Sequence, residues 1–322
     1  MTDEEFQDWV GAELERVEAK LHQAVQAESD FVAQAARYLV DAGGKRFRPA
    51  LTIAVGGFGL ADGRVDCEVL EDSAVVVELT HVASLYHDDV MDEAALRRGR
   101  PSANARWGNS VAIMVGDFLL AQASVIGAGI SQEFVAWQGR TLARLVQGQI
   151  GELRGAGGVP AVEHHLGVVA DKTGSLIAAA ARYGAMAAGL TSAQTETLTE
   201  FGEQVGLVFQ LADDLIDIMS DSAGKSAGTD LREGVRTLAP LLVLRDPGLR
   251  DGRLVELLSA PVAEADLAET LALLRVHPAV AAVRGIIAAR VDAAKTLLAD
   301  LPDSAAKRAL LLLADQAVNR SA

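Results

Sequence analysis

Two short stretches concentrate carboxylates in a chain that is otherwise rich in apolar residues. HDDVMD carries Asp88, Asp89 and Asp92, and QLADDLID carries Asp213, Asp214 and Asp217. On an α-helix Asp88 and Asp92 stand at i and i+4, as do Asp213 and Asp217, so each pair shares a face. Asp89 and Asp214 are rotated by about 100° toward a flank. Like charges at this spacing destabilise an isolated helix by about 0.2–0.5 kcal/mol, and a divalent cation reverses the sign. One such motif alone would more often be a solvated helix face. Two copies, 125 residues apart and each embedded in apolar sequence, are hard to explain as surface. If their helices face each other, the carboxylates surround a space suited to Mg²⁺, which binds a few carboxylates, water and substrate phosphates. The single cysteine, Cys67, and the scarcity of histidine among the candidate ligands favour Mg²⁺ over Zn²⁺.

Positive charge stands beside the acids. Arg97 and Arg98 follow the first motif in LRRGRPS, and GGKRFRP groups Lys45, Arg46 and Arg48. Guanidinium forks bind phosphate bidentately and lysine adds a point charge. Acids and bases together suggest a substrate with several phosphate charges, held through metal by the acids and directly by the bases. Read alone, Arg97 and Arg98 are equally well a charged loop. The helix before Asp88 carries a polar stripe, Glu78, His81, Asp88 and Asp92, within a segment otherwise apolar.

The elements that must position these groups are helical. The 322 residues are 50% hydrophobic but only 4% aromatic, and Ala, Leu and Val dominate, which favours helix over sheet. Eight prolines leave gaps long enough for several helices. Apolar spacing predicts two helices within residues 3–42, one over 71–93, and others over 109–127, 132–153, 161–190 and 195–219. Gly151 to Pro160 reads as a break, and Ser220 to Gly234 as a polar loop or lid. Strand-like alternation is missing, so an all-α bundle in a single domain, 1–322, is the economical reading. The formal charge of -15 argues against a nucleic-acid partner. The acidic start MTDEEFQDWV has no apolar signal core, and no window offers about 18 consecutive apolar residues. A cytoplasmic location and no transmembrane segment are expected.

GGKRFRP, HVASLYHDDVMD, LRRGRPS, GDFLLAQA, DKTGSLI, FQLADDLID and GKSAGTDL occur in the order found in trans-isoprenyl diphosphate synthases. The chain resembles that family from about Gly43 to Thr237. The resemblance implies an all-α isoprenoid-synthase bundle around a central cavity, usually a homodimer. It implies Mg²⁺ held by Asp88, Asp92 and Asp213, with Asp214 and Asp217 in the metal–diphosphate network. Lys45, Arg48, His81 and Arg98 match the isopentenyl diphosphate site. Arg97, Lys172, Thr173, Gln210 and Lys225 match groups around the allylic diphosphate, with Lys172 and Lys225 counted among the catalytic set. Arg46 matches no binding position as clearly. GVRTLAP departs from the family's GKxTLP, and GQIGEL from its GQxxDL.

The implied reaction lengthens an allylic diphosphate by isopentenyl units. In the family the growing chain extends away from the first acidic motif, and short-chain members often place a bulky aromatic four or five residues before it. Ser84 and Ala83 are small, so a product longer than fifteen carbons, in the long-chain class, is expected, with twenty carbons as the alternative. Three rival readings differ in class: a terpene cyclase, a non-catalytic partner subunit, and an HD-type phosphohydrolase using His87 and Asp88. Two DDxxD motifs with GGKRFRP favour chain elongation over the first, intact Asp88, Asp92 and Asp213 argue against the second, and the third leaves the second DDxxD unexplained.

Overall fold

The computed structural model describes residues 1–220 and 227–319, and 79% of these are helical. In chain order the helices are α1 Asp3–Ala24, α2 Asp30–Asp41, α3 Phe47–Gly56, α4 Cys67–Met91, α5 Ala103–Trp107, α6 Asn109–Ile130, α7 Gln132–Arg154 and α8 Ala161–Val169. They continue with α9 Ser175–Ala187, α10 Ser192–Met219, α11 Thr229–Glu233, α12 Leu238–Arg245, α13 Gly252–Leu257, α14 Glu264–Val276, α15 Pro278–Leu297 and α16 Ala305–Asn319. Three features depart from the sequence expectation, the first a short helix, α11, inside the expected loop from Ser220 to Gly234. A π-helical turn, Ala170–Gly174, separates α8 from α9 where one unbroken helix was expected. A two-stranded hairpin, β1 Leu96–Arg97 and β2 Arg100–Pro101, occupies the expected loop after the first acidic motif. Strands of two residues are too short to leave an alternating pattern. Arg98 and Gly99 form the turn at φ 53° and 75°, the positive φ that tight hairpin turns require and glycine adopts without steric cost.

Contacts group the chain into two compact units, Met1–Ala143 with Leu176–Gly202 and Asp300–Leu310, and Arg144–Ser175 with Glu203–Ala299 and Leu311 onward. In the first unit α4 packs on α1, α3 and α6. Asp66 caps α4 by accepting the backbone N–H groups of Glu68 and Val69. Leu70, Val75, Val76, Val77, Leu79, Val82 and Ala83 are essentially fully buried, so this helix is enclosed on most sides. Each buried Val or Leu stabilises by about 1.5–3 kcal/mol relative to exposure. The Tyr86 hydroxyl donates to the Ala35 carbonyl at 2.5 Å and accepts the Leu39 N–H at 3.3 Å, tying α4 to α2.

In the second unit α12 packs on α8 and α15, and α14 on α15. Leu241, Val243, Leu274, Val283, Ile287 and Val291 supply its core. Arg144 fastens the C-terminal part of α7 to α10 and the π-helical turn: its guanidinium meets Glu203 at 2.7 Å and Asp171 at 2.6 Å. Among the described residues one helix, α6, is apolar and long enough to cross a membrane, and 33% of its most apolar window is buried.

Candidate active site

The first acidic motif closes α4. Asp88 is half-buried in the last turn, and Asp92 is the exposed C-cap, its N–H donating to the Asp88 carbonyl. The helix macrodipole is negative at this end, so carboxylates here add to an existing negative potential that a cation would relieve. Asp89, turned about 100° from Asp88, is fully buried. Its Oδ1 accepts from Arg97 at 2.6 Å, and Oδ2 has no hydrogen-bond partner. Burial pushes the Asp89 carboxyl up, opposed by the Arg97 guanidinium. Arg97, expected at the allylic diphosphate, is thus also the anchor of the motif's inner aspartate.

Beside this motif the structure sorts the basic residues. Arg46 is structural: it pairs with Glu18 at 2.8 Å and Glu78 at 3.0 Å and donates to the Val40 carbonyl. Arg98 donates to the Leu39 and Gly43 carbonyls. Lys45 is exposed, and the buried Nε of Arg48 has no hydrogen-bond partner. A buried guanidinium nitrogen left unpaired is costly, which suits a group awaiting an anion. Burial, and then the charges of Arg48, Arg98, Arg97 and Arg46, hold the His81 pKa well below its ordinary 6.5. His81 is therefore neutral near pH 7 and can donate one ring N–H and accept at the other nitrogen.

Of the two residues expected to govern product length, Ala83 is fully buried and Ser84 half-buried, its hydroxyl donating to the His81 carbonyl. A cavity of about 100 Å³ lies further along α4, lined by Thr80, Leu120, Ser124, Val135, Gln138, Gly139 and Leu142. The Thr80 and Ser124 hydroxyls bond carbonyls of their own helices, those of Val76 and Leu120. These two hydroxyls are thus satisfied within their own helices, while the buried Gln138 Oε1 in the same lining has no hydrogen-bond partner.

The second acidic motif lies in the last two turns of α10, again at the negative end of a helix. Asp213 is exposed and Asp217 half-buried, accepting the Thr229 and Asp230 backbone N–H groups at 3.2 Å each. Asp214 is buried, and its Oδ1 accepts from Gln210 Nε2 at 2.9 Å. Gln210 Oε1 in turn accepts from the Thr173 hydroxyl at 3.0 Å. Thr173 and Lys172 come from the π-helical turn, and Lys172 meets Glu152 of GQIGEL at 2.5 Å. A Cβ on Gly148 would lie 2.5 Å from the Lys172 backbone nitrogen, so only glycine lets α7 approach this turn so closely. Lys225 lies outside the described residues. In GVRTLAP, Val235 is 38% exposed and Arg236 donates to the Ser259 carbonyl.

Sequence reading passed over Asp230, thirteen residues after Asp217. Burial, reinforced by Asp217 and Asp214, pushes its carboxyl up to about 7. Its only sequence signal was its place in GKSAGTDL. Among the described residues no three His, Cys, Asp or Glu converge as a ready-made metal cage. The donor type is nevertheless the kind Mg²⁺ takes, carboxylate oxygens in pairs.

A family model described as polyprenyl synthetase matches residues 29–273. The chain belongs to the polyprenyl synthetase family. It is an enzyme, a prenyl diphosphate synthase that transfers prenyl groups. A nonaprenyl diphosphate synthase from Mycobacterium tuberculosis is 44% identical over 322 residues, spanning 99% of this chain and 95% of the relative. The structure of a geranylgeranyl pyrophosphate synthase from Corynebacterium glutamicum, complexed with calcium and isoprenyl diphosphate, superposes with a TM-score of 0.89 at 39% identity, covering 98% of both chains. A decaprenyl diphosphate synthase from Rhodobacter capsulatus gives a TM-score of 0.88 at 28% identity over the full length of both. The all-α isoprenoid-synthase fold expected from the motifs is thereby confirmed.

Proposed function

We propose that this polyprenyl synthetase is Mg²⁺-dependent and condenses isopentenyl diphosphate with an allylic diphosphate, making an all-trans product longer than fifteen carbons, in the long-chain class. One observation carries the reading: each acidic motif closes a helix with an i, i+4 carboxylate pair beside an anchored inner aspartate. Asp88 and Asp92 would hold metal at the first motif, and Asp213 and Asp217 at the second, with Asp214 behind that pair. Bound Mg²⁺ supplies neutralisation of the charge that develops on the departing diphosphate.

The protein's own groups do the rest. Lys45, Arg48 and Arg98 bind isopentenyl diphosphate, and neutral His81 contributes a hydrogen bond without a further charge. Lys172, Thr173, Gln210 and Lys225 orient the allylic diphosphate, with Arg97 bridging to Asp89. The allylic carbon–oxygen bond breaks, and the isopentenyl double bond attacks the resulting cation. Loss of a proton to the departed diphosphate regenerates an allylic diphosphate. The apolar helices keep water from the cation.

The small Ser84 and the cavity below it at Thr80 support a long product, as does similarity to nonaprenyl and decaprenyl synthases. A twenty-carbon product is the second reading, favoured by the likeness to the Corynebacterium glutamicum enzyme. A homodimer is part of the proposal, supported by the exposed Met114 and Val125 on α6. The deciding experiment incubates the purified chain with isopentenyl diphosphate, Mg²⁺ and primers of several lengths, then sizes the products. Chains longer than fifteen carbons support the proposal, and a product that stops at fifteen rejects the length assignment. Asp88→Ala and Asp213→Ala should each reduce turnover at least about a hundredfold with the helical circular dichroism unchanged. Near-normal turnover in either variant removes that aspartate from the metal set.

A further inference from the structure

Behind the second acidic motif stands a residue that no motif singled out. His165, on α8, places its Nε2 3.7 Å from Asp214 Oδ2, and the two side chains are only 14% and 9% exposed. Neither atom has a hydrogen-bond partner. The gap is too long for a hydrogen bond and too short to admit a bridging water. Two buried polar atoms left unpaired cost free energy that their meeting would recover. The other side of the same carboxylate is already fixed by the relay from Thr173 through Gln210 to Asp214 Oδ1. His165 thus faces the one oxygen of Asp214 that the relay leaves unbound.

We propose that His165 is a positioning residue for the second acidic motif. Its Nε2–H donates to Asp214 Oδ2 when the motif takes up a cation. With Gln210 on one oxygen and His165 on the other, Asp214 stays turned into the protein. Asp213, turned about 100° from Asp214, and Asp217, one turn on from Asp213, are then left on the flank that meets the cation. Asp214 acts through its neighbours on α10 and is not itself a ligand. The same logic operates wherever a group behind a metal site holds the ligand-bearing segment in place, and removing such a group typically weakens metal affinity by about 10–100-fold.

The proposal rests on the reading that this motif binds a divalent cation, so its test reads cation binding apart from turnover. Mn²⁺ with inorganic diphosphate is titrated into the full chain by calorimetry, in an Asp88→Ala background so that the second motif dominates the signal. His165→Leu, which fills similar space without a donor, should weaken Mn²⁺ binding about tenfold. His165→Gln, whose amide can still reach and donate, should stay within about threefold of the parent. Should His165→Leu not fold, His165→Asn takes its place, because its amide is too short to reach. In the otherwise native enzyme the Mg²⁺ concentration for half-maximal turnover should rise in the same order, with the KM for isopentenyl diphosphate unchanged. If the donor-lacking variant lowers the melting temperature but leaves both cation readouts at parent values, His165 is a packing residue and the proposal fails. It fails equally if the Asp88→Ala parent binds no Mn²⁺. A wild type that makes no polyprenyl product would overturn the proposed reaction while leaving the Mn²⁺ comparison readable.

Discussion

At the scale of single residues, the site divides into groups that face outward and groups that hold them. Asp88 and Asp213 belong to the first kind, Asp89 and Asp214 to the second, and the division follows from helix geometry: an adjacent residue is turned by about 100° and meets the core. His81 combines the two, half-buried among four arginines. In the unfolded chain it titrates near 6.5, and in the fold well below that. Above 6.5 both states hold it neutral and its burial has full effect. As pH falls through 6.5 toward the folded value, the unfolded chain takes up a proton that the folded site refuses, and stability is lost. His81→Gln removes this linkage, so its melting temperature should fall less than that of the wild type between about pH 7 and about pH 5. Parallel curves for the two proteins would show that His81 does not report the buried cationic cluster.

At the scale of elements, much of the architecture was legible because apolar spacing carries it. For α4 the run of valines and the HDDVMD motif predict 71–93, while the Asp66 cap starts the helix four residues earlier, at Cys67. The hairpin and the π-helical turn were not legible. Each rests on one or two residues whose conformation is set by what packs against them, Asp89 on Arg97 in one case and α7 on Lys172 in the other. The candidate residues were legible as types and spacings, but not the distinction between Arg48, left unpartnered at Nε, and Arg46, consumed by Glu18 and Glu78. That distinction needs α1 folded over the loop. Two predictions belong here. Gly148→Ala should push α7 off the π-helical turn, costing about 1–3 kcal/mol and raising the KM for the allylic substrate. Gly167→Ala, where a Cβ would meet nothing within 4 Å, is the control. Equal effects of the two substitutions would dismiss the close approach as the cause. Ser84→Phe should shorten the products by blocking the way toward the Thr80 cavity, as read by chromatography of the dephosphorylated alcohols. An unchanged length distribution would move the control of length to another helix.

At the scale of the whole molecule, α6 is the element whose surface is least explained by the chain alone. Met114 and Val125 are 71% and 69% exposed, and eleven residues apart they stand on one face of the helix. A second copy of the chain covers this face in the proposed homodimer. Met114→Glu with Val125→Glu should convert a species of twice 33.7 kDa into one of 33.7 kDa by light scattering. A wild type that is already monomeric, or a variant that stays dimeric, assigns this surface another role.

The π-helical turn at Ala170–Gly174 acts as a phase shifter. It inserts an extra residue into what would otherwise be one continuous helix, and a single residue is worth about 100° of rotation. Deleting Ala170 would let the helix close its ordinary i to i−4 ladder, a gain in local regularity. The same deletion would turn Ala161–Val169 about its own axis relative to Lys172 and Thr173. His165 would swing away from Asp214 while Thr173 still reached Gln210. The less regular helix is therefore the one in register with its neighbours, and a change that looks conservative by composition and length would detune the second acidic motif without touching an aspartate.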